Sequence, residues 1–460
     1  MSAGERVSGR MAGPADARER SRPGAAGPAR PRAGGTAGRD GLAYWLDVPY
    51  TPRAPLEGDV DVDACVIGAG VAGLSCARRL ALHGLDTLVL ERDTVASGAS
   101  GRNGGFLLAG VAAFHNDARE RYGGERARRI YGATLAAQEE IYALAAELGA
   151  GDVLRRTGLL RLAVSPEEAE HVRGQVDALR ADGFPGELVE REELPQSLRR
   201  VGLAGCLTEH DGALDPARWV RLLASAAERA GARICERTAV RAPLAAPGEG
   251  AVEAAAIAEG GTTTMHISDA AIAKGGAASR APAASAAHLR VRARHVVAAA
   301  DGALPILVPE YAGRVRARRL HMVATAPVPP LLERPVYARW GHEYLQQRTD
   351  GRLLAGGFSD LDGAASYTDG ESGNPRIWER IERYLQDELE APAEVTHRWT
   401  GVVGYSEDLL PFAGEVPGRP ALHVAGGYSG HGNVVGFLCG RDLADAIAGR
   451  PSEPLFGADR

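Results

Sequence analysis

Cys65-Val66-Ile67-Gly68-Ala69-Gly70-Val71-Ala72-Gly73-Leu74-Ser75, continuing to Leu88-Val89-Leu90-Glu91, is the stretch on which the fold turns. The apolar run Ala64–Ile67 predicts a buried strand, Gly73–His83 a helix and Thr87–Leu90 a second strand. A G-x-G-x-x-G run says little in a chain with 59 glycines. This one, however, follows a strand, opens a helix and has an acid eighteen residues after its last glycine. Gly68 permits the tight turn, Gly70 lets backbone approach a pyrophosphate, and Gly73 lets helix and strand pack closely. The freed N–H groups and the helix dipole then face phosphate. Glu91, with Arg92 beside it, ends the second strand where an acid accepts ribose hydroxyls and disfavours a 2′-phosphate, which argues against NADP. The fingerprint alone leaves FAD and NAD open.

Two further glycine-rich stretches extend the reading. Ser97-Gly98-Ala99-Ser100-Gly101-Arg102-Asn103-Gly104-Gly105 begins within fifteen residues of Glu91 and suits close backbone contact with more of a long dinucleotide. Ser100 and Arg102 are expected to reach its phosphates, with Asn103 and Gly104 completing the loop. Near the C-terminus, His423-Val424-Ala425-Gly426-Gly427-Tyr428-Ser429-Gly430-His431-Gly432 precedes a helix expected over Val434–Ala448. A strand, a glycine turn and a helix N-terminus form an anion-stabilising device, which places Gly427, Ser429, Gly430 and Gly432 among the cofactor residues. His431 has two readings of equal weight, a reacting group or a histidine merely held by the turn.

Composition narrows the class. Apolar residues make up 45% and charged residues 24% of the chain, an ordinary globular balance. A net charge of −6 offers no attraction to nucleic acid or anionic lipid, and no run reaches the roughly 18–20 apolar residues of a membrane span. The 5 cysteines are scattered without a C-x-x-C pair, which favours reduced thiols in a cytoplasm over disulfides or a metal site. Residues 1–41 are expected as a disordered tail, since Gly, Ala, Pro, Ser and Arg bury little surface. Residues 245–288, Ala-rich towards their end, are expected as a flexible surface insertion. Asp215-Pro216 and Asn374-Pro375 each predict an N-cap followed by a proline at the first helical position.

The chain resembles the FAD-dependent amine and amino-acid oxidoreductases of the D-amino-acid oxidase family. The resemblance rests on Tyr44-Trp45, the fingerprint ending at Glu91, the loop Gly98–Gly105 and the signature His423–Gly432, and it spans about residues 42 to 450. It implies FAD, hydride transfer to flavin N5 from a carbon next to nitrogen, hydrolysis of the imine, and O2 as acceptor. Relatives that link FAD covalently use a cysteine just past the Trp-x-Gly segment or a histidine near the second glycine loop. Cys439 lies within the C-terminal helix and Gly101–Phe106 holds no histidine, so FAD is expected to be non-covalent. The lysine that activates oxygen in some relatives has no counterpart, because the single lysine, Lys274, falls in the insertion. His431, His342 or an arginine is left to supply that charge.

The resemblance also implies an arginine for a substrate carboxylate shortly after Trp399-Thr400-Gly401, but Val403 stands there. That favours a small amine without an adjacent carboxylate, unless Arg348 or Arg339 substitutes from another strand. An α-amino-acid or sarcosine/glycine-type oxidase is the alternative, and a non-enzymatic flavin-carrying subunit is the alternative of another class. Trp340–Arg348 is expected at a sheet edge, with His342, Tyr344 and Gln346 on one face, and His431, Tyr344 and His342 are the catalytic candidates. Glu407 and Asp408 are weaker candidates to attract a cationic amine. The expected architecture is α/β, a Rossmann-like FAD-binding domain (42–110, 205–310 and 396–455) with a mixed, largely antiparallel β-sheet substrate domain (111–204 and 311–395).

Overall fold

The strand Val60–Ile67 has nothing polar over its last four residues, and both of its faces are buried. Ala64 and Val66 enter one apolar core with the helices, while Cys65 and Ile67 enter a second core on the opposite face. A strand covered on both sides belongs in the middle of a parallel sheet. In the computed structural model, which describes residues 39–244, 251–256, 288–391, 393–451 and 455–460, that is its place. Thr87–Leu90 and then Arg233–Cys235 flank it on one side and His288–Ala298 on the other, all parallel. The eleven-residue strand His288–Ala298 serves two partners on its far edge. Its first half pairs antiparallel with Ala251–Ala256, and its last three residues pair parallel with Leu422–Gly426. The fingerprint helix Val71–Leu82 packs against Gly432–Ile447 and Pro216–Arg229.

The second sheet has nine strands. From edge to edge they are Arg39–Asp40, Val395–Ser406, Val315–Pro327, Arg352–Gly357, Glu343–Gln347, Val336–Ala338, Leu159–Ala163, Ala204–Thr208 and Glu187–Glu190. Pairing is antiparallel except at Arg39–Asp40 with Val395–Ser406 and at Leu159–Ala163 with Val336–Ala338. A Rossmann-like sheet with a mixed, largely antiparallel partner is the expected fold class.

Several expectations need correction. Ala204–Thr208 and Val395–Ser406, assigned to the dinucleotide-binding segments, hydrogen-bond in the nine-stranded sheet. Glu343–Gln347 is interior, because the short strand Val336–Ala338 covers the side expected to be free. Within the expected insertion 245–288, Ala251–Ala256 is a strand held by Thr238–Val240 and His288–Ala298. At the end of the expected tail, Arg39–Asp40 adds an edge strand, where Asp40 meets Arg398 at 3.5 Å. The rest of both segments, Lys274 included, lies outside the described residues. Both N-caps form: the Asp215 carboxylate accepts the Arg218 amide at 3.1 Å, and the Asn374 side chain accepts the Arg376 amide at 3.0 Å. Among the described residues no helix is long and apolar enough to cross a membrane.

Candidate active site

At the fingerprint, Gly68 has φ +105° and Gly73 leaves no room for a Cβ beside the Gly68 carbonyl oxygen. Those two positions let the helix Val71–Leu82 start against the strand, and Gly70, its N-cap residue, provides no side-chain cap. The Ser100 hydroxyl comes across from the second loop and accepts the Val71 amide at 3.1 Å. Glu91 accepts the Ala69 amide at 2.8 Å and the Asp93 amide at 3.0 Å, so its carboxylate sits inside the turn. Burial raises its pKa, against the pull of those two amides. Arg92 is exposed and paired with Asp93 at 3.1 Å.

Two tryptophans clamp the second glycine loop by consecutive carbonyls. The Trp399 indole donates to the Arg102 carbonyl at 2.9 Å, and the Trp45 indole donates to the Asn103 carbonyl at 2.8 Å. Asn103 bridges back to the carbonyls of Ala99 and Ser100 and across to Asn433. Gln346 donates to the carbonyls of Gly104 and Gly105 from the large sheet. Arg102 is held by partners within the protein. Its guanidinium donates to the Ser97 carbonyl at 2.6 Å and the Thr400 carbonyl at 3.3 Å and pairs with Glu371 at 3.3 Å, while Gly401 leaves room beside the Arg102 Cβ.

The C-terminal turn hangs on an acid that the sequence reading missed. The Asp301 carboxylate, at φ +44°, accepts the amides of Gly404 at 2.8 Å, Gly427 at 3.0 Å and Tyr428 at 3.4 Å. It joins the end of the strand His288–Ala298, the large sheet and the glycine turn at one point. An acid just past a buried strand was the signal, the same grammar that singled out Glu91. Ser429, at φ +52°, donates its amide to the Gly404 carbonyl at 2.8 Å and accepts the Ser406 amide on its hydroxyl at 3.2 Å. His431 is the N-cap residue of the helix Gly432–Ile447 but makes no side-chain cap. Both of its ring nitrogens are buried without a hydrogen-bond partner among the described residues. Burial, with Arg161 adding repulsion, pushes its pKa down to about 3, so the ring is neutral near pH 7. Gly430 lies beside the Tyr405 hydroxyl.

Between Gly104 and Gly430 the large sheet presents an aromatic row. Register places Arg161, Tyr337, Tyr344, Gly356, Met322 and Trp399 directly opposite one another in successive strands. Tyr344 packs edge-on to Phe106, with ring centroids 5.9 Å apart, and Tyr337 lies 5.0 Å from the same ring. The hydroxyls of Tyr337 and Tyr344 make no hydrogen bond among the described residues, and burial raises both pKa values. Arg161 stacks over Phe114 at 4.8 Å and Tyr337 at 5.8 Å. Tyr344 and Gln346 share the face as expected, whereas His342 sits in the turn before the strand, off the ladder. Burial lowers the His342 pKa. Both expected substitute arginines already have a carboxyl partner: Arg348 has Asp215 at 3.2 Å and Arg339 has Glu343 at 2.8 Å. Asp408 is tied to Arg460 and is not presented to the row.

These features fit a long dinucleotide with a planar end. Two helices of 12 and 16 residues begin without a cap from their own N-cap side chains, and the His431 ring is buried with open nitrogens beside one of them. The family model described as "FAD dependent oxidoreductase" (DAO) matches residues 63–446. The chain is 29% identical over 427 residues to the probable oxidoreductase OrdL of Rhizobium meliloti (strain 1021), covering 89% of each. It is 25% identical to gamma-glutamylputrescine oxidoreductase of Escherichia coli (strain K12), covering 87% of each. Among solved structures, glycine oxidase from Geobacillus kaustophilus superposes with a TM-score of 0.66 at 22% identity, over 85% of this chain and 96% of that one.

Proposed function

Because this chain belongs to the family of FAD-dependent oxidoreductases and is a flavoenzyme of the amine and amino-acid branch of chemistry, we propose that it oxidises the C–N bond of a small amine. In this reading FAD is held without a covalent link and O2 is the acceptor. When bound, FAD supplies at N5 the acceptor for the hydride that leaves the carbon next to nitrogen.

The observation that carries the reading is the pair Tyr337 and Tyr344 and, three strands further across the same sheet, Tyr405, with Gly104 against Tyr344 and Gly430 beside the Tyr405 hydroxyl. Burial keeps all three phenols protonated, so they offer hydrogen bonds but no strong base. Such a wall orients a neutral amine and excludes water rather than removing a proton from it. Of the groups expected to supply positive charge, His431 and His342 are held neutral by burial. Permanent charge beside the row is therefore arginine, Arg161 on the His431 side. All five cysteines are free thiols, which suits a reducing cytoplasm.

Anaerobic mixing of the yellow holoprotein with an amine panel tests this. Bleaching of the flavin band by at least one polyamine, glutamylated amine, N-methyl amino acid or D-amino acid is expected, with peroxide release on admitting air. A flavin that dithionite bleaches and no amine does would identify a flavin-carrying subunit instead. Acid precipitation is expected to leave the chromophore in the supernatant.

A further inference from the structure

Two histidines meet on one face of the dinucleotide-binding sheet. His423 is the second residue of the strand Leu422–Gly426 and pairs in parallel register with Val297 of the strand His288–Ala298. Alternation returns to the same face two residues earlier, at His295. Val297, Ala425 and Ala64, the last directly beside His295, belong to the apolar core on that face. His423 is buried, and His295 is half-buried at the rim of this core. The exposed Glu415 lies directly opposite His423 on the strand Phe412–Glu415 and adds a carboxylate there. One of its oxygens accepts the Ala421 amide at 2.6 Å.

The two rings face each other through nitrogen. Nε2 of His423 lies 3.4 Å from Nδ1 of His295, with ring centroids 5.6 Å apart and planes inclined by 43°. That is long for a hydrogen bond, since N–H donors settle about 2.7–3.2 Å from an acceptor. It is close to ideal for two ligands of one metal. Imidazole nitrogens bind zinc at about 2.0–2.1 Å, which at the tetrahedral angle sets them about 3.3–3.4 Å apart. Other histidines have carboxylates instead: His83 has Asp445 at 2.6 Å, His115 has Asp182 at 2.7 Å, and His397 has Asp47 at 3.0 Å. Among the described residues no group of three or more His, Cys, Asp or Glu side chains is set to hold a metal ion. Two protein ligands, with water in the remaining positions, is therefore the coordination that fits.

We infer that His295 and His423 bind one divalent transition ion of the class that imidazole suits, Zn2+, Ni2+ or Cu2+, and so clamp their two strands together. Mg2+, which prefers oxygen ligands, does not fit the pair. The consequence reaches the cofactor turn. The strand His288–Ala298 runs on to Asp301, and Leu422–Gly426 runs on to Gly427, whose amide the Asp301 carboxylate accepts at 3.0 Å. An ion at the histidines ties together the same two strands that Asp301 joins at their ends. The inference is independent of the C–N oxidation reading.

Untagged holoprotein, stripped with a chelator and dialysed against Zn2+, Ni2+, Cu2+ or Mg2+, tests it. One equivalent of each transition ion is expected to stay bound, Cu2+ most tightly, and no Mg2+. Zn2+ at 100 times its Kd is expected to raise the Tm by about 3 °C. His295→Gln and His423→Gln are each expected to weaken binding by at least roughly 10- to 100-fold, the loss that even an outer partner of a ligand causes. His83→Gln is expected to bind as wild type does. The electron paramagnetic resonance of bound Cu2+ is expected to show two nitrogen couplings in wild type and one in His295→Gln. Retained flavin verifies folding, and His295→Gln decides alone if the buried His423 does not tolerate replacement. Failure of wild type to retain a transition ion, equal retention of Mg2+, undiminished binding in His295→Gln, or loss of binding in His83→Gln would overturn the inference.

Discussion

Gly73 and His431 are single positions where geometry dictates an outcome. A Cβ at Gly73 would overlap the Gly68 carbonyl oxygen, which is backbone and has no rotamer to yield. Gly73→Ala must push the helix off the strand, at a cost of about 1–3 kcal/mol by the usual penalty of overpacking. Much of that should appear as roughly 10- to 100-fold weaker FAD binding, read as a fallen flavin-to-protein absorbance ratio after desalting. An unchanged ratio would contradict the close approach. His431, held down to about 3 by burial and Arg161, has no protonation change to offer across about pH 5 to 8, the range where an ordinary histidine titrates. His431→Gln is therefore expected to slow flavin reduction without moving its pH profile there. Loss of an ionisation near neutrality in that variant would show that the native ring titrates.

The helix Pro375–Arg383 illustrates how an element depends on a residue far away in sequence. Its N-cap, Asn374, caps through its side chain and also donates its own amide to the Nε2 of His321 at 2.8 Å. His321 is fully buried, and desolvation lowers its pKa to about 4. Protonation would remove the acceptor that the Asn374 amide needs. The native pKa lies below the unfolded value of about 6.5, so the unfolded chain takes up the proton first. The contribution is thus whole above about pH 6.5 and is lost as pH falls through about 4, up to roughly 3 kcal/mol. Denaturant midpoints at pH 7 and pH 5 should separate for wild type and draw together in His321→Gln. An equal separation in both would assign acid sensitivity elsewhere. The cap itself was legible as Asn374-Pro375, because capping is a matter of adjacent residues. Its anchor was not, because His321 becomes a neighbour only when the helix packs on the strand Val315–Pro327.

At the scale of the whole molecule, Asp301 carries the connection between the two sheets. Its carboxylate serves amides from the large sheet and from the glycine turn, and burial of the group makes their loss costly. Asp301→Asn keeps one acceptor oxygen and is expected to cost about 1–3 kcal/mol, with weaker FAD binding, since the turn and the sheet would shift relative to each other. A holoprotein Tm and FAD affinity equal to wild type would dismiss the connection. Cofactor and fold are linked in the same way: FAD at 100 times its Kd should add about 2.7 kcal/mol of stability, measurable as a concentration-dependent Tm.

The sequence by itself determined the dinucleotide-binding half. Strand, glycine turn, helix and terminal acid are contiguous, and their periodicity and backbone freedom are local properties. It also determined the second glycine loop and the C-terminal turn as places of close backbone approach. Only the tertiary structure decided what surrounds the reacting space. Arg318 opposite Val403, the row from Arg161 to Trp399, the partners of Arg102 and the neutral state of His431 all follow from strand register and burial. Register joins residues more than eighty positions apart, as with Arg318 and Val403, and burial depends on everything packed around a group. Neither is written in a neighbouring residue, so the cofactor fold was readable along the chain while the choice of substrate was not.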